Sequence, residues 1–342
     1  MKFDFDDILI TPAEMTNINS RSEIYEFDHM GGLPLFTAPM DTVVSEENEH
    51  FFRQENINVV LPRKQETEMN PKTSFSRWLS YSLKQFEEAF ISNDQPLYKT
   101  YYILIDVANG HMPSVYEMTK TAKDKYGKSL VLMVGNVANP ETYGLLSDAG
   151  ADYVRIGIGN GGGCLTTQQT GIGYPMGSLI EETYEVSLHL DNPAKIVADG
   201  GFKKYADIIK ALAIGADYVM LGSILNKALE SAGETVDEGG EEVDQYKPNS
   251  EAYLKAGGKL YKTFRGMSTK EVQSSWGKKN LKTSEGVVRL HEVEYTLSGW
   301  TENFRHYLKS AMSYTDSKNL EEFIGRVQYN VITTASFNRY NK

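Results

Sequence analysis

The chain has 342 residues, 40% of them hydrophobic, and a formal net charge of −11. That length admits one large domain or two small ones, and it also fits a barrel-type domain of about 250 residues with insertions. The acidic balance disfavours nonspecific binding to nucleic acid or to an anionic membrane, yet it allows a phosphate-bearing small ligand, because backbone amides bind phosphate without basic side chains.

The opening stretch "MKFDFDDILITPAE" carries Asp4, Asp6 and Asp7 and has no apolar segment of signal-peptide length. No later run approaches the ~20 apolar residues of a membrane span. Short apolar runs then recur: "LPLFTAP" (33–39), "INVVLP" (57–62), "YYILIDV" (101–107), "SLVLMVGN" (129–136), "ADYVRIG" (151–157), "AKIVADGG" (194–201) and "ADYVMLG" (216–222). Each is rich in Val, Ile or Tyr, alternates weakly and ends in a polar or glycine-rich loop, which describes a strand buried on both faces. Between them "PETYGLLSDAG" (140–150) and "KYADIIKALAIGA" (204–216) have helical spacing and end on or near glycine. Strand, helix, strand in succession predicts parallel βα units. Polar candidates follow almost every strand, so a closed (β/α)8 TIM barrel is expected over an open sheet, because only a barrel gathers all strand ends at one mouth. The eighth strand has no clear signature. The acidic, glycine-rich stretch near 230–262 is expected to form a long exposed, hairpin-like excursion, and 266–290 a mobile active-site loop. "WTENFRHYLKSAMSYTDSKNLEEFIGRV" has the pattern of one or two amphipathic helices that close the barrel. The whole chain, 1–342, is expected to be one catalytic barrel without a regulatory insertion.

The chemistry concentrates in "RIGIGNGGGCLTTQQTGIGYP" (155–175), which holds the only cysteine. Glycines let the backbone adopt left-handed conformations and approach a ligand closely. Gly157, Gly159 and Gly161 alternate, so such a loop can turn carbonyls toward a monovalent cation or amides toward a phosphate. Cys164 sits where amides at a loop–helix junction can stabilise a thiolate, which favours a nucleophile over the buried small hydrophobe that a lone cysteine more often is. A lone thiol with no disulfide partner is most at home in a reducing cytosol, so a cytoplasmic location is expected.

"IVADGG" (196–201) and "VMLGS" (219–223) each run from a strand into a tight glycine turn, suited to phosphate, with Asp199 placed to accept from ribose hydroxyls. The alternative is an ordinary βα turn. Asp106 ends the strand of "LIDVANGH" and either faces the mouth or caps the following turn. "FRGMS" (264–268) and "KTSEGVV" (282–288) are polar and bear glycine, and Glu285 is either a ligand-facing or a surface carboxylate. The six histidines stand singly, and none forms a metal-ligand pair. "GIGNGG" looks like a dinucleotide fingerprint but lacks the helix-and-acid context.

Taken together, "FDFDDILITP", "APMDTV" (38–43), "DVANG" (106–110), "GNV" (135–137), the cysteine loop, "ADGG", "ADYVMLGS", "RGMS" and "SEG" resemble the family of inosine monophosphate dehydrogenase and guanosine monophosphate reductase. The resemblance implies a (β/α)8 barrel, usually a homotetramer, acting on a purine nucleoside monophosphate (GMP or IMP). It makes Cys164 the nucleophile at purine C2, with Thr166 its hydroxyl partner and Glu285 a proton source. Asp199, Gly200, Gly201, Gly222 and Ser223 match ribose and phosphate contacts; Gly266, Met267, Ser268 and Ser284 match the substrate's base side. Asp106, Val107, Ala108, Gly157, Gly159 and Lys64 fall to the cofactor, and Gly159, Gly161 and Cys164 would offer carbonyls to potassium where that ion is used.

Three features resemble the reductase branch. The wording of "DVANG" and "CLTTQQTGIGYP" is one, and the absence of a regulatory insertion after the second strand is another. The third is a flap, "STKEVQSSWGKKNLKTSEG", without the Arg-Tyr pair that activates water in the dehydrogenase. The implied activity is NADPH-dependent reductive deamination of GMP. The alternatives are oxidation of IMP with NAD, or a barrel that binds purine nucleotides without catalysis. Two positions depart from the family. Gly162 replaces a phosphate-binding serine, and "LPRKQ" replaces a histidine-flanked lysine segment, with Lys64 its counterpart.

Overall fold

A computed structural model describes residues 2–64, 73–74, 76–92, 96–246, 248–266 and 287–340. The apolar runs become barrel strands β1 (Leu35–Thr37), β2 (Val59–Leu61), β4 (Tyr101–Asp106), β5 (Leu130–Val137), β6 (Tyr153–Ile156), β7 (Lys195–Asp199) and β8 (Tyr218–Leu221). The strand without a signature is β3 (Arg77–Tyr81). Its sequence, "RWLSY", hides because polar residues interrupt it. Arg77 is nevertheless buried between Glu46 and Glu49, at 2.9 and 2.7 Å, and the Ser80 hydroxyl donates to the Leu61 carbonyl at 2.7 Å. All eight strands pair in parallel in one sheet. A Phe36–Asn58 bridge joins its two ends, with Thr37 N–H donating to Asn58 O at 2.9 Å and Asn58 N–H to Leu35 O at 3.0 Å. The expected (β/α)8 barrel is therefore what forms.

Helices Pro113–Tyr126, Pro140–Asp148, Met176–Ser187 and Tyr205–Ala213 follow β4 to β7. Local chemistry starts them. Pro113 and Pro140 stand in the first helical turn, where a missing N–H costs nothing, and Asn139 accepts from Glu141 N–H at 2.8 Å, a cap worth about 1 kcal/mol. Strand residues alternate in direction, and the core divides accordingly. Outward residues such as Ile103, Ile105, Leu132, Val134, Val154 and Ile196 pack against the helices. Inward residues Phe36, Val60, Trp78, Leu104, Met133, Val197, Tyr218 and Met220 fill the barrel. Phe36, Trp78, Tyr153 and Tyr218 interlock there, with ring centroids 5.0–6.0 Å apart.

The acidic excursion forms the expected hairpin-like projection, with a buried face on one of its strands. Strands β9 (Thr235–Asp237), β10 (Leu260–Arg265) and β11 (Val288–Glu292) form an antiparallel sheet; most of the described residues between Glu238 and Lys259 are exposed, as are Val288–Leu290, while Ser231, Thr235, Ser250 and Leu260 are buried. Alternation in β10 buries Leu260, Lys262 and Phe264. The Lys262 ammonium donates to the carbonyls of Ser231 at 2.8 Å and Gly233 at 3.4 Å. Burial pushes it down to about 7. The unfolded chain therefore binds more protons than the folded one between about pH 7 and 10.5, and folding stability rises with pH across that window. Wild-type protein is expected to gain on the order of 1 kcal/mol per pH unit between pH 7 and 9 in urea unfolding, a gain that Lys262→Met removes. Equal pH slopes for the two proteins would contradict the burial argument.

Helices Leu297–Tyr314 and Leu320–Phe323 complete the ring as the C-terminal pattern led one to expect, the first packing against Tyr205–Ala213. Among the described residues no helix is long and apolar enough to cross a membrane.

Candidate active site

The strand ends surround a cavity of ≈710 Å³, within the range of small-molecule sites. Strand alternation dictates its floor. Tyr102, Leu104 and Asp106 point inward along β4, Tyr153 and Arg155 along β6, and Val197 and Asp199 along β7. The last inward position on these three strands carries a charge. Gly135 of β5, in register with Arg155, makes room for it, since a Cβ there would come within 2.6 Å of the Arg155 Cβ.

Arg155 is 5% exposed, and a charge so buried needs partners. Its Nη2 donates to Asp106, its Nη1 lies 3.7 Å from the Met220 sulfur, and its Nε stands 3.8 Å from Asp199 Oδ2. The second Asp106 oxygen lies 3.0 Å from Arg63 Nε. Asp199 Oδ2 also accepts from Asn136 Nδ2 at 2.8 Å, while the same amide reaches the Gly157 carbonyl at 2.7 Å. Burial pushes the Asp199 carboxyl up from its ordinary value, and the Arg155 charge and the Asn136 hydrogen bond pull against that.

Above this floor lies the cysteine loop. Cys164 is exposed at the cavity wall, and its thiol donates to Thr166 Oγ1 at 3.2 Å. The Cys164 N–H donates to the Gly161 carbonyl at 3.0 Å, which closes a turn and engages one of the carbonyls expected to face potassium. Gly200, at φ +95°, packs so tightly that a Cβ would stand 2.9 Å from the Gly161 nitrogen. The cysteine loop and the Asp199–Gly201 turn are thus in backbone contact. On the other side, a Cβ added to Gly162 would lie 3.9 Å from Ser223 Oγ. Gly163 O accepts from Val287 N–H at 3.3 Å, and Val287 O from Gly266 N–H at 3.1 Å, which ties the loop to both roots of the 266–290 segment.

The cavity gathers Asp106, Val107, Ala108, Gly157, Gly159, Gly161, Cys164, Thr166, Asp199, Gly200, Gly201, Gly222, Ser223 and Gly266, the residues singled out in sequence. Met267, Ser268, Ser284 and Glu285 lie outside the described residues. Lys64 pairs with Glu46 at 3.0 Å, and its neighbour Arg63 lines the cavity. Sequence reasoning missed Arg63, Asn136 and Arg155. Two signals were legible, Asn136 within "GNV" and an arginine inside the apolar run "ADYVRIG". Among the described residues no group of three or more His, Cys, Asp or Glu is arranged to hold a metal ion.

A barrel whose mouth joins a cysteine loop to two glycine turns defines a class of enzyme, and comparison with known proteins supplies the family. A family model described as the IMP dehydrogenase / GMP reductase domain matches residues 98–341. A GMP reductase of Oceanobacillus iheyensis is 29% identical over 98% of this chain and 97% of its own. GMP reductases of Staphylococcus saprophyticus and Clostridium acetobutylicum are each 31% identical over the same shares. The chain belongs to the IMP dehydrogenase / GMP reductase family and is an oxidoreductase.

Proposed function

We propose that this protein reduces GMP to IMP and ammonia with NADPH through a covalent adduct on Cys164. The observation that carries the reading is the Cys164–Thr166 pair, 3.2 Å apart, in one cavity with the Asp199–Gly201 and Gly222–Ser223 turns. A nucleoside monophosphate held by those turns brings its base to the sulfur. Asp199 accepts from the sugar hydroxyls. Backbone amides and the Ser223 hydroxyl receive the phosphate.

Cys164 sulfur bonds to C2, and with a proton delivered on the Thr166 side the C2–N bond breaks and ammonia leaves. Glu285 is the proton source that the resemblance assigns. The wall of Asp106, Val107, Ala108, Asn109 and Met112 borders the same cavity and suits the second ring system. A reduced nicotinamide bound there supplies the hydride that C2 needs. Breaking the carbon–sulfur bond then frees the product and restores the thiol.

The test is a matrix of GMP or IMP with NADPH, NADH or NAD. Loss of 340 nm absorbance with GMP and NADPH is expected. A rise with IMP and NAD alone would reverse the direction of the reaction, and silence in every arm with tight GMP binding would make the barrel a binder without turnover.

Gly162 gives a gain-of-function check. Its backbone is not left-handed and its Cβ direction is open, so Gly162→Ser adds a hydroxyl beside Ser223 without a clash. GMP is expected to bind roughly fivefold more tightly, the value of one added hydrogen bond, and guanosine unchanged. Equal gains for both ligands would place the phosphate elsewhere.

A further inference from the structure

Arg155 stands between two carboxylates that face different parts of the cavity. Asp106 lies on the wall of Val107 to Met112, and Asp199 lies beside Gly200 and Gly201. Its guanidinium is engaged unequally. Nη2 donates to Asp106, whereas Nε makes no hydrogen bond and stands 3.8 Å from Asp199 Oδ2. Asn136 takes that Asp199 oxygen at 2.8 Å. Among the described residues the other oxygen, Oδ1, has no hydrogen-bond partner, so it remains available to a ligand hydroxyl.

We propose that Arg155 is the positioning residue for the ligand's sugar: its buried guanidinium holds the Asp199 carboxylate as an acceptor directed into the cavity and links it to Asp106 on the opposite wall. The proposal rests on the nucleotide reading of this site. Its logic is electrostatic. Asp199 is only 22% exposed and, among the described residues, has one cation near it, and burial alone favours its neutral form. A neutral carboxyl turns a donor toward the cavity and loses half its capacity to accept from a vicinal diol. The groups facing Asp199 are Arg155 on β6, Asn136 on β5 and, across the barrel, Asp106 on β4, itself paired with Arg63. Removal of Arg155 takes away the cation and leaves the repulsion of Asp106, so the Asp199 carboxyl moves further up.

The experiment is calorimetric binding of GMP and of its 2′,3′-dideoxy analogue between pH 6 and 9. It uses wild type, Arg155→Lys, Arg155→Met and the charge-balanced double variant Arg155→Met/Asp106→Asn. The double variant covers the case in which Arg155→Met does not fold because two carboxylates are left facing each other. Wild type is expected to prefer GMP roughly ten- to hundredfold, the value of hydrogen bonds to a charged acceptor, with a weaker pH dependence than either methionine variant. The methionine variants lose that preference near pH 6 and regain it as pH rises, because the acceptor then ionises; lysine restores most of it at every pH. A methionine variant that folds, prefers GMP as wild type does and shows no pH dependence overturns the role of Arg155. A wild type that binds neither nucleotide overturns the nucleotide reading itself, and the proposal with it.

Discussion

Cys164→Ala is expected to lower kcat by at least ~10³-fold and to leave the Kd for GMP within about threefold of wild type. The separation follows from where the sulfur sits. Among the described residues its only hydrogen bond is to Thr166 Oγ1, and the groups proposed to hold sugar and phosphate belong to other loops, Asp199 to Gly201 and Gly222 to Ser223. The side chain is exposed, so its truncation leaves no cavity, and stability is expected to change by less than about 0.5 kcal/mol. The backbone turn survives, since it is made by the Cys164 N–H and not by the thiol. Steady-state kinetics and calorimetry on one preparation decide the matter. A variant that retains a tenth of wild-type turnover would rule out a covalent route. Alkylation offers a second reading: iodoacetamide should inactivate wild type, and saturating GMP should slow that inactivation.

Gly157→Ala should be strongly damaging to the site. At φ +125° an alanine is strained, and its Cβ would fall 2.3 Å from the Asp199 carbonyl oxygen and 2.7 Å from Met176 Cε. The carbonyl belongs to a barrel strand and cannot move alone. Strain and overlap together are expected to cost at least ~3 kcal/mol, or roughly a 4 °C fall in Tm for a chain of this size. KM for GMP should rise as well, because displacing the Asp199 backbone moves its carboxylate. Gly161→Ala is the control. That position has no left-handed φ, and an added Cβ meets nothing within 4 Å, so Tm should stay within about 1 °C. Equal losses in the two variants would show that the cysteine loop adapts freely and is not wedged against β7.

Seven of the strands could be found in the sequence because each carries a short, mostly apolar run closed by a polar or glycine-rich turn, and β3 could not because its five residues include both Arg77 and Ser80. The same rule explains the acidic stretch. Composition gave its exposed turn, but the burial of Lys262 depends on which face of β10 meets the barrel loops, and that is a tertiary fact.

The candidate site divides in the same way. Cys164, Thr166 and the two glycine turns were legible because chemistry that uses backbone amides and a lone thiol leaves glycines and hydroxyls at close spacing. Arg63, Asn136 and Arg155 sat inside motifs that stand out for other reasons, and nothing in their spacing showed that their side chains meet. By itself the sequence determined the βα succession, the strand ends and the reactive loop, since these follow from local periodicity and turn chemistry. Only the tertiary structure decided which charges meet, because barrel closure and strand parity, not spacing along the chain, bring Asp106, Arg155 and Asp199 to one layer of the mouth.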